Sequence, residues 1–313
     1  MKRLVVLAAV ALLVPVSIAG AVDTEVVVDY DPALGELPEG VAVDKRGDVF
    51  VSIAPLGQVR KIGRDGSESL LAQVVPPFSG NGVLGLAVDA PGNVYATAAT
   101  LDPATSGVYK IARDGSFVRL PGTGAIVFPN GVTLDKEGHV YVTDTVLGAV
   151  WRVPARGGSA ELWFSSPLLE GSGIFGFGFP LGANGIAYRQ NEIVVSNTEG
   201  ARLVRIEIEP DGSAGAASVL AEGVPLLAAD GIAFDVHGNV WVAVIAQSTI
   251  VRVSPSGAME TVATAADGLD WASSVAFGKN GDLWVVSFAI GPPGGPGPAL
   301  LRLGVGVKGQ PVP

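Results

Sequence analysis

The chain has 313 residues, 48% of them hydrophobic and only 16% charged, so it carries enough apolar material for a large core. Its formal net charge is −10 with no basic block, which argues against a nucleic-acid partner. It has no cysteine, so disulfides, thiol chemistry and a lipid-modified cysteine are excluded.

The first element is a targeting segment. Lys2 and Arg3 precede an almost wholly apolar run from Leu4 to Ile18, and Ala19-Gly20-Ala21 is a small-x-small cleavage site. Residues 1–21 are read as a signal peptide, and the mature chain is expected to begin at Val22. The apolar run is short for a span of about 20 residues, so no stable membrane anchor is expected. An uncleaved anchor is the competing reading. Export to a periplasmic or extracellular location follows from the first.

From residue 39 a pattern recurs six times at roughly 45-residue intervals. The segments begin Glu39-Gly40-Val41-Ala42-Val43-Asp44, Leu84-Gly85-Leu86-Ala87-Val88-Asp89, Asn130-Gly131-Val132-Thr133-Leu134-Asp135, Asn184-Gly185-Ile186-Ala187-Tyr188-Arg189, Asp230-Gly231-Ile232-Ala233-Phe234-Asp235 and Ser273-Ser274-Val275-Ala276-Phe277-Gly278. A second β-rich run follows each, as Val49-Phe50-Val51-Ser52 and Val140-Tyr141-Val142-Thr143 show. Turns such as Lys45-Arg46-Gly47-Asp48 separate the two runs. A third run, an Asp-Gly-Ser turn and a fourth run complete the repeat. Abundant glycine (43) and proline (22) suit such short strands and tight turns.

Six repeats of four antiparallel strands predict an all-β, six-bladed β-propeller. The sixth repeat is one strand short, since the chain runs out in Gly and Pro after Leu303. Thr24-Glu25-Val26-Val27-Val28-Asp29 supplies a strand that would close the ring and remove an open edge. Residues 22–313 are therefore expected to form one domain.

Around a propeller axis, the leading residues Glu39, Leu84, Asn130, Asn184, Asp230 and Ser273 form one ring at one end of the channel. Two carboxylates and two amide carbonyls among them suit Ca²⁺ in charge and hardness, although another divalent cation is possible. Unpartnered carboxylates facing one another would repel, and a dication removes the conflict. A purely structural use of the same positions, as strand caps and turn residues, is the alternative.

Loops sort by end. Ser165 to Gly182, at the ring's end, places Phe175, Phe177 and Phe179 among glycines and reads as a cover over an apolar substrate. Asp144 and Asn197 end the second strands of repeats three and four on the same side, either as site residues or as turn caps. His139 and His237 fall in turns at the opposite end and are expected to be solvated, which leaves no Ser-His-Asp arrangement near the ring.

Glu39-Gly40, Asn130-Gly131, Asn184-Gly185 and Asp230-Gly231 resemble the calcium-ligand set of the senescence marker protein/gluconolactonase family. The wider group includes diisopropyl fluorophosphatase and the paraoxonases, all six-bladed propellers. The resemblance implies that Glu39, Asn130, Asn184 and Asp230 hold one catalytic divalent ion. It also implies hydrolysis, with Asp230, or less favourably Glu39, as base or nucleophile. Sugar-lactonase members carry an Arg-x-Asn-Asp-Gly-like stretch in the second repeat, where this chain has Gly82-Val83-Leu84-Gly85. The paraoxonase histidine dyad has no counterpart. With Leu84 in the ring, an apolar lactone or ester fits better than a sugar. The rival functions are a non-enzymatic NHL-type binding propeller and a strictosidine-synthase-like lyase or condensing enzyme.

Overall fold

A computed structural model describes residues 22–311, so the expected signal peptide, residues 1–21, lies outside the described residues. Six four-stranded antiparallel sheets form the blades of a propeller. Blade 1 comprises Pro38–Val43, Val49–Ile53, Gln58–Ile62 and Glu68–Gln73, from the axis outwards. The inner strands of the next five blades are Gly82–Val88, Pro129–Leu134, Ala183–Arg189, Ala229–Phe234 and Ala272–Phe277. Blade 6 is completed from the N-terminus, because Asp23–Asp29 pairs antiparallel with Ala299–Gly304 as its outermost strand.

The period of two in a strand explains why the blades stack. Alternate residues point to the two faces of a blade, and each face meets a neighbour. Six apolar clusters result, one between each pair of adjacent blades. Between blades 1 and 2, Phe50, Val59 and Ala72 meet Leu86, Val94 and Tyr109. Between blades 6 and 1, Val286 and Leu300 meet Val41 and Val51. Burying each such side chain is worth about 1.5–3 kcal/mol, which favours blades sandwiched on both faces over isolated sheets.

Every inner strand breaks register with its neighbour at the ring position: between Pro38 and Val41, Val83 and Leu86, Pro129 and Val132, Ala183 and Ile186, Ala229 and Ile232, and Ala272 and Ser274. A bulge re-aims a side chain out of the regular alternation. It does so here at Glu39, Asn130, Asn184 and Asp230, all of which line the central channel.

The glycine after five of the six ring residues has a steric cause; Ser274 takes the place in blade 6. A Cβ on Gly40 would lie 2.4 Å from the Leu84 carbonyl oxygen, and one on Gly185 would lie 2.2 Å from that of Asp230. In blades 1 to 5 the inner strands approach the next blade too closely at this level for a side chain. Among the described residues no helix is long and apolar enough to cross a membrane.

Candidate functional site

The ring backbone is held by a girdle of hydroxyls on the second strands. Ser52 Oγ accepts from the Gly40 N–H at 2.7 Å and donates to the Leu84 carbonyl of the next blade at 2.6 Å. Thr143 Oγ1 accepts from Gly131 and donates to the Asn184 carbonyl, and Ser196 Oγ accepts from Gly185 and donates to the Asp230 carbonyl. Thr97 donates to the Asn130 carbonyl. In the last blade the ring residue itself supplies the hydroxyl, as Ser273 Oγ donates to the Glu39 carbonyl at 2.8 Å. Five of the six ring carbonyls are thereby satisfied, with Ala243 leaving the gap between blades 5 and 6, and the side chains are left to converge on the channel.

Sequence reasoning missed this girdle, although the signal was present. A Ser or Thr recurs at the fourth place of the second strand in the first four repeats, at residues 52, 97, 143 and 196. A second missed residue is Thr198. Its Oγ1 accepts from Asn184 Nδ2 at 3.0 Å, which fixes the amide and leaves Asn184 Oδ1 as the free acceptor.

Glu39 and Asp230 are only 7% and 6% exposed. Burial pushes the Glu39 carboxyl well above the ordinary carboxylate range, and the negative charge of Asp230 pushes it further. Burial also raises Asp230, partly offset by the Asn184 side chain and the Gly231 N–H. With no basic partner among the described residues, two buried acids are unfavourable as a charged pair. Two oxygen-donor carboxylates with two amides match a hard divalent cation, so the residues present fit such an ion. An open channel of about 200 Å³ lies beside them, lined by the inner strands and, at the far end, by Gln310 and Pro311.

An apolar roof covers the other side of the ring. Leu84, Phe128, Ala54 and Ala99 are buried together, with Val146, Phe179 and Phe288 packed against them. Phe128 and Phe179 stack with ring centroids 5.6 Å apart. Of the three expected phenylalanines, Phe179 joins the roof, Phe175 is half-buried and Phe177 is 60% exposed. The Phe-rich loop is anchored by the buried Glu199, whose carboxylate accepts from the N–H groups of Ser172, Gly173 and Phe175.

Asp144 and Asn197 act as braces, the second of the two uses open in the sequence. Asp144 accepts from the Val127, Phe128 and Leu147 N–H groups. Asn197 donates to the Leu168 and Glu170 carbonyls and accepts from the Gly200 N–H. Both are fully buried, and neither lines the channel cavity. Asp144 fixes the backbone of Phe128 in the roof, and Asn197 fixes the start of the Phe-rich loop at Leu168 and Glu170.

His237 is exposed, as expected, but His139 is not freely solvated: its Nδ1 lies 2.8 Å from Asp135 Oδ2. Asp135, Glu137 and His139 place three potential ligand atoms within 4.8 Å of one another. The repeat accounts for this arrangement. Asp135 Oδ1 accepts from the Glu137 and His139 N–H groups, as Asp235 Oδ1 does from those of His237 and Asn239. His139 occupies the place of Asn239 in a turn braced by aspartate.

Comparison with known families matches residues 181–289 to the SMP-30/Gluconolactonase/LRE-like region. The chain resembles that family. The match spans Asn184, Asp230 and Ser273, whereas Glu39 and Asn130 lie outside it. No curated protein sequence matches. Among solved structures, a gluconolactonase from Xanthomonas campestris is 18% identical with a TM-score of 0.69, over 91% of this chain and 90% of its own. Regucalcin from Agrobacterium tumefaciens, a calcium-binding protein, is 16% identical with a TM-score of 0.70, over 96% and 99%. Virginiamycin B lyase from Staphylococcus aureus is 16% identical with a TM-score of 0.59, over 93% and 88%. At these identities the structural likeness shows the fold alone.

Proposed function

We propose that this chain is a calcium-dependent hydrolase of lactones or related esters, exported from the cell and acting on an apolar small-molecule substrate. The observation that carries the proposal is the ring itself: Glu39 and Asp230, buried without a basic partner, beside Asn130 and Asn184. The resemblance to the SMP-30/gluconolactonase family and the calcium-binding regucalcin neighbour support it.

When bound, a divalent ion polarises the substrate's carbonyl oxygen and favours the ionised form of the surrounding carboxylates. Glu39, Asn130, Asn184 and Asp230 would hold it, with Asn184 Oδ1 aimed by Thr198. Asp230 is the shorter of the two carboxylates and leaves more room for substrate. It either accepts the proton of a water attacking the carbonyl carbon or attacks that carbon itself. In the first case the acyl C–O bond breaks and the leaving oxygen takes the proton that Asp230 accepted; in the second the same bond breaks to leave the acyl group on Asp230 as an anhydride, the leaving oxygen takes a proton from water, and hydrolysis of the anhydride restores the carboxylate. The roof of Leu84, Phe128, Phe179 and Phe288 excludes water and takes the apolar part of the substrate.

The roof also sets the preference. A sugar hydroxyl desolvated there without a partner costs about 1–3 kcal/mol. A buried methylene gains roughly 0.8 kcal/mol. A panel of lactones and aryl esters, assayed with calcium and with EDTA, tests the proposal. Apolar lactones or esters turned over faster than gluconolactone, with loss of activity in EDTA, is the expected result. EDTA-insensitive turnover contradicts the metal role, and a preference for gluconolactone contradicts the substrate class.

The binding-propeller alternative draws on the hydroxyl girdle, which explains the recurrent X-Gly pattern without any ligand. The girdle accounts for backbone positions only. It gives no reason for two buried carboxylates in the ring.

A further inference from the structure

Exposed apolar side chains are spread unevenly over this propeller. Among the described residues seven large ones are at least 60% exposed, and six of them, Leu34, Phe78, Leu101, Ile174, Phe177 and Val224, lie in ring-end loops. The seventh, Val118, is on the outer strand of blade 2. The six come from five different connections around the axis. Single exposed apolar groups are ordinary, whereas a set gathered at one end of a molecule marks a surface that meets something.

Two of the six are also held against backbone preference. Phe78 and Leu101 have φ of +60° and +64°, a region that Gly or Asn occupies more easily than a bulky side chain. They are 72% and 65% exposed, so neither side chain recovers that strain by packing within the fold.

The charge around these tips narrows what they fit. The described ring-end loops hold no Lys or Arg, while Asp31, Asp102 and Glu170 in them are exposed. An anionic membrane recruits Lys and Arg, so this face is not built for one. A second copy of the same face would set acid against acid. Apolar tips on separate loops would each need a matching socket in a folded partner, whereas a fluid lipid layer closes around every tip. The N-terminal segment of the chain itself leads away from this face: Asp23 pairs with Gly304, which also pairs with Asp282 just after a far-end turn.

We propose that the ring end docks reversibly on a zwitterionic lipid surface, with these six side chains as its points of insertion. The face is continuous with the roof. Val127, itself 47% exposed, precedes Phe128; Phe177 shares a loop with Phe179; and Ile290 lies two residues beyond Phe288. On the hydrolase reading above, an apolar substrate dissolved in the lipid meets the roof first. Docking itself does not rest on that reading.

Co-flotation with phosphatidylcholine vesicles tests the docking. It is run without substrate, so its failure is distinct from failure of the hydrolase reading. The parent is compared with a ring-end variant, Phe78→Asn with Leu101→Asn and Val224→Ser. A control variant, Val26→Thr with Val118→Thr and Leu162→Thr, removes exposed apolar groups from outer strands instead. Parent and control are expected to float alike, and the ring-end variant to need about tenfold more lipid for half-binding. Its melting temperature should not fall, since Asn suits the two left-handed positions. Phe78→Asn alone is carried alongside, should weaken binding several-fold, and decides the matter if the triple variant does not fold. No flotation of the parent, undiminished binding by the ring-end variants, or binding only to vesicles rich in phosphatidylglycerol would overturn the proposal. So would light scattering that shows a parent dimer which the ring-end variant dissociates.

Discussion

The two ends of the propeller use the same acidic residues in opposite ways. At the far end aspartates are local braces. Asp65, Asp114 and Asp211 accept from the hydroxyl and N–H of a serine two residues on, which holds each carboxyl below its usual range. In Asp235 burial acts upward, yet hydrogen bonds from Asn239 and Trp241 bring it down as well. At the ring end Glu39 and Asp230 are driven up by burial. The loops differ to match. Those at the far end carry Lys45, Arg46, Arg64, Arg113, Lys136 and Lys279, whereas those at the ring end contain no Lys or Arg among the described residues. Several expose large apolar groups instead, including Phe78, Leu101, Ile174 and Phe177. A repeat that builds each blade alike therefore yields one end made for turn stability and one with unsatisfied charge under an apolar cover.

The comparison breaks most sharply at the ring. Asp230→Asn should lower kcat/KM on the best apolar ester by at least roughly 100-fold, the usual scale for a positioned acid or base. Thermal melting should show the fold intact, since Asn keeps the shape. Parent-like turnover would remove Asp230 from the chemistry.

A smaller effect is expected at the loop anchor. Glu199→Leu leaves the Ser172, Gly173 and Phe175 N–H groups without their acceptor, at a cost of about 1–3 kcal/mol in local order. KM for apolar substrates should rise several-fold while kcat changes little. A fall in kcat at constant KM would tie the Phe-rich loop to the chemical step instead of to binding.

The raised ring carboxyls also give a pH dependence whose sign is fixed. A carboxyl that titrates higher in the folded than in the unfolded chain adds stability while it is protonated in both states. That contribution is full below about pH 4 and is lost as pH rises through the raised folded value. Metal-stripped protein should therefore melt at lower temperature at pH 8 than at pH 5. Added calcium should reverse the difference, and Glu39→Gln with Asp230→Asn should flatten it. A melting temperature that rises with pH in stripped protein would mean that the pair is not held as described.

Least change is expected at the far end. Replacing His139 and His237 by Asn together should leave turnover within a few-fold, because Asn already serves in the equivalent turn at Asn239. A loss of 100-fold with the fold intact would place function at the far end.

Much of this contrast was legible in the sequence because the repeat states it six times. The alternation of each strand, the X-Gly step and the borrowed strand at residues 24–29 all follow from local pattern, and the last is observed as Asp23–Asp29. The convergence of Glu39, Asn130, Asn184 and Asp230 on one channel follows from the same periodicity. What escaped depends on contacts between distant loops. Phe128, Val146, Phe179 and Phe288 come from separate connections, so no periodicity announces that they form one roof. Asp144 and Asn197 were placed at the correct end, but position along a blade does not reveal which way a side chain turns, and nearby N–H and carbonyl groups claimed both. The path of residues 305–311 against blades 4 to 6 was hidden in a Gly-rich tail whose glycine at 309 reports a close approach to Phe277 that only the assembled fold creates.

The central claim is that the ring binds a divalent ion through its two carboxylates. Calorimetric titration of metal-stripped protein with calcium, set against the Glu39→Gln, Asp230→Asn double variant, tests it most directly. One site per chain in the parent, and none in the folded variant, is the predicted result. Equal calcium binding by both proteins, or none by the parent, would contradict it.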